Sequence, residues 1–140
     1  MDVLDIKNQL CFPVYVLSKE IINQYRPFLE TLDITYPQYL VLMVLWREKE
    51  QTVGQLGEKL FLDSGTLTPL LKRMEQKGII LRKRSSEDER VVKLTLSLKG
   101  EELKEKAKEI PMQLVSSMGI SEDEFSELKN IVTKILNKQK

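Results

Sequence analysis

Residues 63–96 constrain this chain more than any other stretch. Asp63-Ser64-Gly65-Thr66 opens a helix whose apolar residues, Leu67, Leu70, Leu71 and Met74, fall on one face. Lys77-Gly78 ends it, because glycine takes the left-handed conformation that closes a helix. Two strand-like runs follow at once, Ile79 to Lys83 and Val91 to Leu96, and the polar stretch Arg84 to Arg90 lies between them. A short helix feeding a hairpin with a long charged tip predicts a helix-turn-helix with a wing.

The flanking sequence supplies the other helices. Ile6, Leu10, Val14, Leu17 and Ile21 predict a first helix from Ile6 to about Arg26; Pro13 kinks it or delays its start, and Pro27 bends or breaks it. Thr35 caps a second helix over Gln38–Arg47, with Pro37 tolerated in its first turn. Thr52 opens a short third helix with Leu56 and Leu60 inward. After the hairpin comes a long charged helix from Leu98 to about Ser117. A last one runs from Ser121 to about Asn137, opened by the capping box Ser121-Glu122-Asp123-Glu124. The expected fold is mainly α with a small β-hairpin wing, a winged helix-turn-helix. The outer helices carry more apolar surface than a small wing module covers, which predicts a homodimer.

Composition removes several kinds of chemistry. The 140 residues include no histidine and one cysteine, Cys11. The commonest general base is missing, no intrachain disulfide can form, and a zinc site of the usual nitrogen and sulfur ligands cannot be assembled. No cofactor or metal is expected, and an enzyme is disfavoured. No run of 18 apolar residues exists, and the N-terminus lacks a basic segment followed by an apolar one. The expectation is therefore a cytoplasmic protein without a membrane partner. The net charge of +1 hides an asymmetry: residues 72–93 carry +4 and residues 99–129 carry −3. A local basic surface suits a polyanion, although charge alone favours a solvated mixed-charge face.

On the fourth helix Ser64, Thr68, Pro69, Lys72 and Gln76 lie opposite the leucines, flanked by Thr66 and Arg73. Hydroxyls and backbone N–H groups near a helix start, with cations further along, match a DNA major groove. An ordinary amphipathic surface helix has the same pattern. The hairpin favours the first interpretation. Arg84 and Arg90 stand at the two bases of its tip, and Asp88 is placed to hold the Arg90 guanidinium in one orientation. A cation on a thin hairpin beside a reading helix can enter the adjacent minor groove. The candidate DNA-binding residues are Ser64, Thr66, Thr68, Pro69, Lys72, Arg73, Arg84, Asp88 and Arg90, and the expected partner is double-stranded operator DNA.

These residues resemble a known family. Leu62-Asp63-Ser64-Gly65-Thr66-Leu67-Thr68-Pro69-Leu70-Leu71-Lys72-Arg73-Met74-Glu75, followed by Asp88-Glu89-Arg90, is similar to the MarR family of bacterial repressors. Asn8 to Phe12, Gln24 to Pro27 and Ile34 to Tyr39 resemble its organic-hydroperoxide-sensing branch, the OhrR type. Pro13 departs from that branch, which has an aliphatic residue there. The resemblance implies one MarR-type domain over 1–140, with dimerisation helices at 6–34 and 98–140 and a DNA-binding lobe at 35–97. It also implies repression in the reduced state and release after the cysteine is oxidised.

A lone cysteine in an apolar helix is ordinarily a small core residue. Cys11, Tyr15, Ser18, Ile22 and Tyr25 nevertheless share one stripe. Tyr15 is one turn from Cys11, whereas Tyr25 is 14 residues away, roughly 21 Å along a straight helix. Tyr25 of an antiparallel partner helix could reach the sulfur, and Tyr36 could join it. The resemblance implies that arrangement, with phenols from the opposite subunit bonded to the sulfur. The redox candidates are Cys11, Tyr15, Tyr25 and Tyr36, with an organic hydroperoxide and a low-molecular-weight thiol as reactants. The competing function is a MarR-type repressor or virulence regulator that answers a small ligand or another oxidant, with Cys11 structural.

Overall fold

Short-range caps set most of the helix starts. Thr35 Oγ1 accepts the Gln38 N–H, and the Gln38 side chain returns a bond to the Thr35 N–H. Thr52 and Gln55 repeat this box. Asp63 caps through the Thr66 N–H at 2.7 Å and Ser97 through the Gly100 N–H at 3.1 Å. Ser121 and Glu124 form a third box. The computed structural model describes residues 2–138. Among these are a single 3-10 turn, Ile6–Asn8, and then α1 (Cys11–Glu30), α2 (Tyr36–Glu48), β1 (Glu50–Thr52), α3 (Val53–Leu60), α4 (Ser64–Gln76), β2 (Ile80–Arg84), β3 (Val92–Leu96), α5 (Leu98–Ala107), α6 (Ile110–Ser117) and α7 (Glu122–Lys138). The chain divides after Lys108 into two compact units.

In the first unit the core gathers Val41, Leu42, Leu45, Leu56, Leu67, Leu71, Met74, Ile79, Ile80 and Leu94, all buried. The reading-helix candidate α4 is held there by its four expected apolar residues. Gly78 takes φ +75 and turns the chain from α4 into β2. The sheet has the order β1-β3-β2 and is antiparallel throughout. In the second unit, α6 buries Ile110 and Leu114, while α7 leaves Ile131, Val132, Ile135 and Leu136 exposed.

Three expectations need correction. The first α-helix starts at Cys11, because Asp5 to Gln9 close a separate 3-10 turn, and it runs through Pro27 to Glu30. Pro27 loses the bond to the carbonyl of Asn23 and crowds it, but Asn23 is exposed, so that carbonyl can tilt out to water. The hairpin is joined by a third strand, β1, whose Glu50, Gln51 and Thr52 pair with Thr95, Leu94 and Lys93. The helix drawn from Leu98 to Ser117 is two helices, broken at Lys108 and Glu109. There Pro111 would clash with the carbonyl of Ala107, a buried residue.

Candidate nucleic-acid interface and thiol site

The outer face of α4 is fully open. Ser64, Thr66, Thr68, Pro69, Lys72 and Arg73 are all exposed, on the side away from the buried Leu67, Leu70, Leu71 and Met74. The Thr66 N–H is occupied by the Asp63 carboxylate, and the Thr66 hydroxyl, with this N–H second, holds the Asp63 carboxyl below the usual carboxylate range. Pro69 has no N–H, so the Gly65 carbonyl loses its helical donor on this exposed face.

The wing carries a preformed cation. Arg90 Nε and Nη2 donate to the two Asp88 carboxylate oxygens at 3.2 and 3.3 Å, and the Arg90 N–H donates to Oδ1 at 3.0 Å. These bonds lower the Asp88 pKa. The Arg90 side chain is nonetheless 90% exposed. Arg84 Nη1 donates to the Glu89 carbonyl at 2.8 Å, and Ser85 N–H to the Val91 carbonyl at 2.8 Å, so the tip is internally tied. Lys83 and Lys93 face each other across β2 and β3, and Lys93 is paired with Glu50 at 3.5 Å.

Cys11 is the first residue of α1 and is exposed, as is every residue from 11 to 20. It is therefore not a core residue of its own chain. Tyr15 is also exposed, with the Lys19 ammonium 4.3 Å above its ring. Tyr25 belongs to a different cluster. Its ring lies 4.8 Å from Tyr36 and 5.8 Å from Tyr39, and Tyr39 reaches Trp46 at 6.3 Å. Tyr39 was absent from the sequence candidates, although its position three residues after Tyr36, one helical turn, was the signal for it. Beside Tyr36 a cleft of about 290 Å³ is lined by Ile22, Arg26, Leu29, Ile34 and Pro37 among others. Helix α1 is continuous from Cys11 to Glu30, so Tyr25 stands roughly 21 Å along it from Cys11.

Burial, with the Tyr36 and Tyr39 phenols beside it, pushes the Tyr25 phenol up to about 12. Tyr25 is thus a neutral hydrogen-bond donor at any physiological pH. Its unfolded value is about 10, so the linked stability is complete below pH 10 and is lost as pH rises through about 12. Ultraviolet titration of phenolate absorbance should show one tyrosine ionising near pH 12, and Tyr25→Phe should remove that step. Four phenols that ionise together near pH 10 would contradict this.

Residues 23–110 match the family model described as Transcriptional regulator SarA/Rot. Over 135 residues the chain is 50% identical to the organic hydroperoxide resistance transcriptional regulator of Bacillus subtilis strain 168, covering 96% of this chain and 92% of that one. The chain belongs to the MarR/SarA family of transcriptional regulators. A second MarR/SarA relative, the HTH-type transcriptional regulator SarZ of Staphylococcus saprophyticus, is 41% identical over 95% of this chain and 91% of its own. AbfR of Staphylococcus epidermidis is similar in structure. Its overoxidized form bound to DNA is 36% identical, covers 96% of this chain and 95% of AbfR, and superposes with a TM-score of 0.77. AbfR has also been solved reduced on DNA and with a disulfide formed. The fold is the mostly helical winged helix of MarR-type regulators. Like its relatives, this MarR/SarA chain is a regulator and not an enzyme.

Proposed function

We propose that the chain is a cytoplasmic homodimeric repressor that reads operator DNA with α4 and the wing, and releases it when an organic hydroperoxide oxidises Cys11. One observation carries the sensing part. The only thiol is exposed at the start of α1, while the neutral phenol donors Tyr25 and Tyr36 lie at the far end. In an antiparallel pair of such helices each thiol meets the other chain's phenols. The apolar faces left exposed on α1 (Phe12, Val14, Val16) and α7 (Ile131, Ile135, Leu136) are then covered by the second copy, which gives dimerisation helices at 6–34 and 98–140. Sedimentation at micromolar concentration should give a dimer, and a stable monomer would remove the model.

The chemistry balances without a metal. The Cys11 thiolate attacks the distal oxygen of the hydroperoxide and the O–O bond breaks. The alkoxide leaves and is protonated to the alcohol, and sulfur, oxidised by two electrons, becomes sulfenic acid. With no second cysteine in the chain, a low-molecular-weight thiol then condenses with it, giving a mixed disulfide and water. The likeness to the B. subtilis regulator and to AbfR supports this reading.

On DNA, Ser64, Thr66, Thr68, Pro69, Lys72 and Arg73 meet the major groove or its phosphates. Arg90, oriented by Asp88, enters the minor groove, with Arg84 at the other base of the wing tip. The two reading helices of the dimer then sit about 34 Å apart. Arg90→Ala should weaken operator binding by about 1–3 kcal/mol and leave folding unchanged, since an exposed pair adds little stability. Unchanged binding, or affinity insensitive to salt, would count against the assignment.

The cleft beside Tyr36 favours a second reading, in which a small ligand is the signal and Cys11 is structural. Operator binding with and without one equivalent of an organic hydroperoxide, followed by intact mass, separates the two.

A further inference from the structure

A polar tie joins the tyrosine cluster to the reading helix. Lys77 caps the C-terminal end of α4. Its Nζ donates to the Asp33 carbonyl at 2.7 Å, in the turn between α1 and α2, and to Gln38 Oε1 at 3.1 Å. Gln38 is buried, and the same Oε1 accepts the Thr35 N–H at 3.0 Å, closing the capping box of α2. Tyr36 is the first residue of that helix and Tyr39 its fourth. On its other side Lys77 is fixed to the start of α5, directly after the wing. Its own carbonyl accepts Lys99 Nζ at 3.0 Å, and the Gly78 carbonyl accepts the Ser97 hydroxyl.

We propose that Lys77 is a positioning residue for operator release: its ammonium, bonded to Asp33 and Gln38, carries a displacement of the Tyr25–Tyr36 cluster to the end of α4. This deepens the redox reading and rests on it. Apolar burial between α2 and α4 is non-directional and does not single out the last turn of α4. Two charge-assisted bonds on one ammonium do, since they weaken steeply once stretched or bent. When the turn at Asp33 moves with the tyrosines, the last turn of α4 and the start of α5 must follow. Lys77 lies 39 residues from Gln38 and 44 from Asp33, so this coupling is tertiary and not a local cap.

The test uses the full-length protein and an operator duplex selected from random DNA by the reduced wild type. Dissociation constants are measured for wild type, Lys77→Met and Lys77→Arg, before and after one equivalent of tert-butyl hydroperoxide. Intact mass reports oxidation of Cys11. Lys77→Met should oxidise like wild type and bind within about threefold of it when reduced, while its peroxide-induced loss of affinity shrinks by about tenfold. Lys77→Arg, which keeps the donors, should recover most of that loss. If Lys77→Met weakens both states equally, or releases by the wild-type factor, the lysine is only a structural tie and the proposal is overturned. If wild type is oxidised but keeps its operator, the redox reading has failed by itself. The tie is then judged in the reduced protein by a cycle of Tyr36→Ala and Lys77→Met. Non-additivity of about fivefold or more in operator affinity supports it, and additivity within about twofold overturns it.

Discussion

Cys11→Ser should bind the operator as the reduced wild type does and keep it at hydroperoxide concentrations that empty the wild type. Serine is close to the thiol in size and can hydrogen-bond but cannot be oxidised to the sulfenic acid, so the proposed switch loses its reactive atom. The cysteine lies at the start of α1, outside the α4 face and the wing, so the substitution removes no group proposed to touch DNA. The wild type should show an added oxygen or a mixed disulfide at Cys11 by intact mass, and the variant neither. Equal release of both proteins by the same peroxide would place the sensor elsewhere, and the cleft beside Tyr36 would become the site to probe. Tyr25→Phe and Tyr36→Phe should lie between these extremes, because each would remove one of the donors proposed for the sulfur of the other chain and nothing from the proposed DNA face.

Gly100→Ala should lower the stability of the fold by about 3 kcal/mol, a large effect for one methyl group. A β-carbon there would fall on the Ile79 carbonyl oxygen, well inside contact distance, and 3.1 Å from Leu96 Cδ2. That carbonyl cannot easily give way, because it accepts the Ser97 N–H at 3.2 Å. Gly100 cannot retreat either. Its N–H bonds to Ser97 Oγ, and its carbonyl accepts Trp46 Nε1 at 2.9 Å in the core. Gly100 is a helical residue, so alanine would otherwise be favourable, and the loss measures the close approach of α5 to the start of the wing. Urea unfolding gives the number. An unchanged or raised midpoint would mean that the two segments separate at little cost.

Much of this was legible in the sequence because its causes are local. Thr35, Thr52 and Ser121 begin helices through bonds three residues away, and Gly78 ends one by its own backbone freedom. The inward leucines of α4 fixed its outward face, and Asp88 two residues from Arg90 fixed the pair. What escaped depends on distant partners. Glu50–Thr52 is too short for any alternation and becomes a strand only because β3 has a free edge beside it. Pro27 and Pro111 look alike in sequence. One lies inside a helix and the other follows a break, and the residue four positions earlier is exposed in the first case and buried in the second. Tyr39 joins Tyr25, and Lys77 joins Gln38, only after α1, α2 and α4 have packed.

The aromatic chain from Tyr25 to Trp46 has an optical consequence. Trp46 is the only tryptophan, it is buried, and Tyr39 at 6.3 Å links it to Tyr36 and Tyr25. Light absorbed by these three phenols should be passed to one indole, so tyrosine-excited emission comes mainly from Trp46. Any motion that pulls the end of α1 away from α2 lengthens the first step of that transfer. The protein therefore carries its own donor and acceptor, and the ratio of tyrosine to tryptophan emission should follow any such motion in solution without a label.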